Sequence, residues 1–187
     1  MKLDLNGFHG RHSSADNMRV ILRPDGHYEA MTTRLALADN ILGPYLAQTP
    51  EQFIDQVPES PKHDMEDPDL FYSGGEYHMI YNNWSLRQAY LFSSKDGIHD
   101  WKMEPGLAYT PTANFVRYTD GTVNHWAKME RPSVYLENGH VVAMTFAVIN
   151  VEKELDKPND QNGSKIIVVP FDGEAFDRDL EKTEPRK

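Results

Sequence analysis

The stretch EDPDLFYSGGEYHMIY, residues 66–81, sets two short apolar runs around a Ser-Gly-Gly turn and opens on a carboxylate pair before proline. The same pattern returns as ERPSVYLENGHVVAMT at 130–145 and, worn and with one extra turn residue, as DNMRVILRPDGHYEAMT at 16–32. Apolar runs joined by tight Gly, Asn and Asp turns read as β-hairpins. Downstream of the middle copy, Arg87–Ser94 and Ile98–Met103 supply two more strands around the Asp96-Gly97 turn. Four strands in about 35 residues is the size of one propeller blade.

The inner strands are apolar on both faces. Val141, Ala143 and Ala147 alternate with Val142, Met144, Phe146 and Val148, and Ile166 and Val168 alternate with Ile167 and Val169. A strand covered on both faces belongs to a sheet sandwiched between neighbours, whereas a β-sandwich usually leaves one face polar. The expected fold is therefore all-β, a β-propeller of four-stranded antiparallel blades. The first blade runs from Met18 through His27–Arg34 to Leu42–Leu46, and the third from Ser133 through His140–Val148 to Ser164–Phe171. Pro50–Val57 is expected to form a turn or two of helix, and Glu152–Gly163 a polar loop. Residues 1–187 form one partial propeller domain in this reading, with 174–187 a frayed tail. Three blades do not close a ring of four to eight, so missing N-terminal blades or a homo-oligomer are expected to complete it.

Composition bounds the partners. The 187 residues carry 19 Lys and Arg against 29 Asp and Glu, a formal charge of −10. Such a balance disfavours nucleic acid and anionic membrane surfaces and leaves neutral sugars unaffected. The chain has no cysteine, which excludes thiolate metal sites and disulfides. No stretch is apolar enough for a membrane span, and MKLDLNGFHG has no export-signal core. Localisation is left open, secreted or periplasmic if the N-terminus is not the natural one.

Equivalent positions in successive blades point into one axial pocket, which puts Glu66, Asp67, Glu130, Arg131, Asp16 and Asn17 at a common rim. Glycosidic-bond hydrolysis needs a protonated acid and a second carboxylate, and the rim offers both. Regular strands would nevertheless send Asp67 and Glu130 to opposite faces, so the rim must be irregular for the two to meet. The loop before the third copy adds Asp120, Asn124, His125 and Trp126, polar and aromatic groups suited to sugar hydroxyls and C–H faces. His12 lies in a similar approach loop. No cofactor is expected. A divalent cation held in the channel by His and carboxylates is conceivable, though no tight metal-ligand spacing supports it.

At these residues the chain resembles the five-bladed propeller glycoside hydrolases around families 43 and 117, from about His12 to Gly173. EDPDLFYSGGEYHMIY, SSKDGIHDW and ERPSVYLENGHV carry the resemblance. It implies a ring of five blades and inverting-type hydrolysis of plant or algal poly- or oligosaccharide. It also implies Glu130 as general acid and Asp67 as the carboxylate that sets its pKa. Arg131, Asn17, Glu66, His12, Asp120, Asn124, His125 and Trp126 would contact substrate. The family draws its catalytic base, an Asp, from the first blade, and this sequence shows no counterpart. A non-catalytic sugar-binding propeller and a glycoside phosphorylase are the alternatives. SSKDGIHDW is read as a hairpin with a packed Trp101.

Overall fold

The computed structural model describes residues 3–4, 17–31, 35–48, 53–57, 64–157 and 163–183. Three sheets follow one another along the chain. The first contains β1 (Leu3–Asp4), β2 (Arg19–Leu22), β3 (Tyr28–Met31), β4 (Leu35–Ala38) and β5 (Tyr45–Ala47), in the order β1-β5-β4-β3-β2. Its four later strands form an antiparallel meander, and β1 joins β5 in parallel. The second sheet is the antiparallel meander β6 (Met65–Ser73), β7 (Glu76–Asn83), β8 (Gln88–Ser94) and β9 (Lys102–Met103). The third contains β10 (Lys128–Glu137), β11 (His140–Ile149) and β12 (Lys165–Pro170), followed by helix α1 (Gly173–Thr183).

The sheets are successive blades of a β-propeller, and β6 packs against β2 on one side and β10 on the other. The middle blade is buried on both faces. Leu70, Met79, Tyr90 and Phe92 enter a core with Met31 and Leu35 of the first blade. Phe71, Ile80 and Ala89 enter a second core with Val134, Val141 and Phe146 of the third. Alternating side chains of one strand thus feed two inter-blade cores, as apolar residues on both faces require.

Several boundaries differ from the sequence reading. The strand expected over Ile98–Met103 shrinks to Lys102–Met103, because Asp96 holds residues 97–99 in a turn. Its Oδ1 accepts the N–H groups of Ile98 and His99 at 2.8 and 2.7 Å. Trp101 is packed in the core, as expected. The helix near Pro50–Val57 is a 3₁₀ turn at Phe53–Gln56. Among the described residues, only the middle blade has the expected four strands alone, the first having five and the third three.

The largest difference is the C-terminal segment, where helix α1 replaces the expected frayed tail through Thr183. Asp172 caps it, accepting Ala175 N–H at 2.9 Å. Phe176 packs on Phe171 and His78. The buried Asp177 bonds Ser73 Oγ at 3.0 Å and His140 Nδ1 at 2.6 Å, which ties the helix to two hairpin tips. The few anchoring side chains are masked in sequence by the charged residues between them.

The motif at the mouth of the second and third blades is a β-bulge. On β6, Glu66 faces Asn82 and Asp69 faces Ile80, so Asp67 and Pro68 oppose the single residue Tyr81. On β10, Glu130 faces Ala147 and Ser133 faces Thr145, so Arg131 and Pro132 oppose Phe146. The first bulge residue is left-handed in both, with φ of 52° at Asp67 and 53° at Arg131, and Asn17 repeats it at 55°. Proline suits the second position because the extra residue has no ladder N–H to supply. The carboxylate-x-proline signature is therefore the sequence form of this bulge.

Candidate active site

Equivalent positions of the three blades meet in two layers. In the inner layer, the fourth motif residues are Arg19, Asp69 and Ser133. Arg19 Nε lies 3.0 Å from Asp69 Oδ1, and its terminal nitrogen donates to Ser133 Oγ at 3.2 Å. Asp69 Oδ2 also accepts Val134 N–H at 2.8 Å, so one buried carboxylate joins all three inner strands. Burial pushes its pKa up to about 6, against the opposing pull of Arg19 and the Val134 N–H.

In the outer layer, the second motif residues are Asn17, Asp67 and Arg131. The Asn17 side chain hydrogen-bonds Asp67, and Arg131 Nε lies 3.8 Å from Asp67 Oδ2. The first motif residues Glu66 and Glu130 join this layer, where the charge of Glu130 acts on Glu66. The bulges cancel the alternation of a regular strand, so Asp67 and Glu130 reach one cluster.

Two carboxyls of the cluster are driven towards the protonated form. Burial raises Asp67, with Glu130 adding to it, while Arg131, Lys153 and the Asn17 bond oppose. Burial also raises Glu66, helped by the charges of Asp67 and Glu130. Glu130 instead sits between two ammonium groups. Lys128 Nζ is 3.5 Å from Oε1 and Lys153 Nζ is 3.2 Å from Oε2. Lys153 belongs to a 3₁₀ turn fixed by its neighbour Glu152, which Arg87 grips at 2.8 and 2.9 Å.

Beneath the carboxyls lie Tyr109 and Asn82, both buried, with Tyr109 Oη donating to Asn82 Oδ1 at 3.3 Å. Burial, and then the charges of Asp67, Glu130, Asp69 and Glu66, push the Tyr109 phenol well up. Among the described residues, Asn82 Nδ2 and Asp67 Oδ1 are buried with no hydrogen-bond partner. An orphaned donor and an orphaned acceptor in one site are provision for a polar guest.

The approach-loop residues carry contacts of their own. Trp126, expected on substrate, is only 3% exposed and packs with Tyr109, Val116, Met129 and Phe146, so its ring faces are covered. His125 Nε2 contacts Asn114 Oδ1 at 2.7 Å. Asn124 donates to Asn150 at 2.9 Å, and Asp120 closes its own turn on Thr122 N–H at 2.8 Å. His12 and Asp16 lie outside the described residues. Among the described residues no group of three or more His, Asp and Glu is arranged to hold a metal ion.

Sequence reading missed Lys128, Lys153, Asn82, Tyr109 and the Arg19–Asp69 tie. Lys128 was within reach, because it lies two residues before Glu130 on the same strand face. Lys153 comes from a loop and Tyr109 from a segment without pattern, and neither carries a local signal.

No protein-family model and no curated protein sequence matches this chain. Solved structures do. A xylan β-1,4-xylosidase from Bacillus halodurans C-125 superposes over 85% of this chain and 31% of its own, with 14% identity and a TM-score of 0.55. A thermostable family-43 glycoside hydrolase covers 82% and 53%, with 11% identity and a TM-score of 0.47. An α-L-arabinanase from Cellvibrio cellulosa, solved with arabinohexaose, covers 86% and 57%, with 13% identity and a TM-score of 0.47. This chain shares the fold of the xylosidase and spans about a third of its length.

Proposed function

We propose that the chain is part of a glycoside hydrolase in which Glu66, Asp67 and Glu130 form the acid–base machinery for cleaving a poly- or oligosaccharide. The observation that carries this reading is the convergence of equivalent carboxyls from successive blades. In this reading Glu130 protonates the leaving oxygen and the charge of Asp67 sets its readiness to do so. Glu130 must first leave Lys153, which substrate entry would displace. Arg131 and Asn17 hold substrate beside the carboxyls.

A second assignment within the same site exchanges two roles. Glu66 is raised by burial and by two neighbouring charges, which suits a proton donor, and Glu130 between its lysines then serves as the carboxylate. A third reading, sugar binding without catalysis, is favoured by Asn17. The first blade presents a carboxamide at the position where the second presents Asp67, so one acid is absent from that layer.

Turnover and binding of plant and algal oligosaccharides by the chain and its Glu130→Gln and Glu66→Gln variants separate the three. Turnover lost only in Glu130→Gln, with binding kept, supports the first assignment. The same loss confined to Glu66→Gln supports the second. Binding without turnover in every form supports the third, and a chain that neither binds nor cleaves any oligosaccharide refutes all of them.

A further inference from the structure

We propose that Arg131 and Lys153 form a subsite for an oxyanion carried by the substrate sugar, a uronic-acid carboxylate or a sulfate ester. The inference rests on the sugar-binding reading of the site and names the substrate class within it.

Arg131 is the odd member of its layer. The left-handed conformation recurs at Asn17, Asp67 and Arg131. Asn and Asp tolerate it well, and a long side chain does not. An unfavourable backbone held at the mouth of a site points to a use for the side chain. The Arg131 side chain is 68% exposed, and its nearest carboxylate is 3.8 Å away, beyond hydrogen-bond reach. Among the described residues no hydrogen bond engages its guanidinium, which leaves a planar fork matched to an oxyanion.

Lys153 completes the pair. Its side chain is 57% exposed, and the Arg87 grip on Glu152 fixes the turn that carries it. The charges of Arg131 and Lys153 both act on Glu66 and Asp67, so the two cations share one mouth. Arg131 beside Asp67, and Lys128 and Lys153 beside Glu130, balance the three carboxyls of the mouth, in a chain whose net charge of −10 otherwise repels anions. The orphaned Asp67 Oδ1 and Asn82 Nδ2, on side chains 6% and 1% exposed, mark the floor beside them as built for a polar ligand.

The test is calorimetric titration of the chain with a uronate-bearing xylo-oligosaccharide, a sulfated galacto-oligosaccharide, their neutral parents and inorganic phosphate. An anionic probe should bind about tenfold to a hundredfold more tightly than its neutral parent at low salt, the range of charge-assisted hydrogen bonds. Raising the salt should erode the preference. Arg131→Ala should bring the anionic probe down to its neutral parent, and Arg131→Lys should restore part of the gap. Arg131→Asn fits the backbone without the charge, so it should keep or raise thermal stability while losing the preference. Lost stability in that variant would mark Arg131 as merely structural and overturn the proposal. Equal affinity for anionic and neutral sugars overturns the subsite and leaves the sugar-binding reading standing. Phosphate bound without preference for anionic sugars also overturns it, by giving the cations to free phosphate. Binding of no saccharide at all overturns both.

Discussion

Replacing Asp69 with alanine should loosen the joint between all three blades. The side chain is 1% exposed, lies 3.0 Å from Arg19 Nε and accepts Val134 N–H at 2.8 Å. Removing it leaves that N–H buried without an acceptor, which costs about 1–3 kcal/mol. Arg19, 32% exposed, loses its partner and recovers part of the loss through solvent. The sum is about 2–4 kcal/mol, towards the lower end for breaking a buried pair. Urea unfolding followed by tryptophan fluorescence would read it as a lower midpoint with an unchanged slope. Asp69→Asn keeps an oxygen for Val134 and should recover much of the loss. Because burial outweighs Arg19 at this carboxyl, the Asn variant should compare best with the parent at pH 8, where the parent carries a buried charge. A loss below about 0.5 kcal/mol for Asp69→Ala, within the range of ordinary surface substitutions, would refute the idea that this carboxylate ties the inner strands.

Stability should follow pH through opposed groups. Burial raises Glu29 to about 7 and Asp69 to about 6, so their contributions are complete below pH 4 and lost as pH rises through those values. Burial lowers His78 to about 4, so its contribution is present above pH 6.5 and lost as pH falls towards 4. His78→Phe, packed against Phe71 and Phe176, should leave only the carboxyl trend in unfolding midpoints between pH 4 and 6.5, and an unaltered profile would contradict the assignment. Gly74→Ala should cost at least about 1 kcal/mol. Its φ is +61°, and a Cβ there would lie 2.5 Å from Asp177 Cγ. Hydrogen exchange should speed up over α1 in that variant, and unchanged exchange would deny the Asp177 tie. Trp126→Ala should lower stability by about 3–5 kcal/mol as a core truncation. A selective loss of sugar affinity at unchanged stability would return Trp126 to the binding surface.

The blade pattern was legible because it is local. Alternating apolar residues and Gly turns over residues 66–81 specify a hairpin with two buried faces, and Leu70 and Phe71 do enter different cores. The meeting of Asp67 and Glu130 was only half legible. Alternation alone sends them apart, and the bulge that reunites them is written in Pro68 and Pro132 and in the backbone of the residues before them. Asp69 looked like one more strand residue, because its partner Arg19 lies 50 positions away. Trp126 misled for the opposite reason: its chemistry suits sugar stacking, and only the tertiary packing puts it inside. Helix α1 escaped because its charged residues hide the few side chains that dock it.

A crystal structure of the chain soaked with an oligosaccharide that it binds would examine the carboxyl cluster without intermediaries. The account predicts a sugar ring between Asp67 and Glu130, with oxygens about 3 Å from both carboxyls and Asn82 Nδ2 engaged. A sugar seated on an outer blade surface, with those carboxyls untouched, would contradict it.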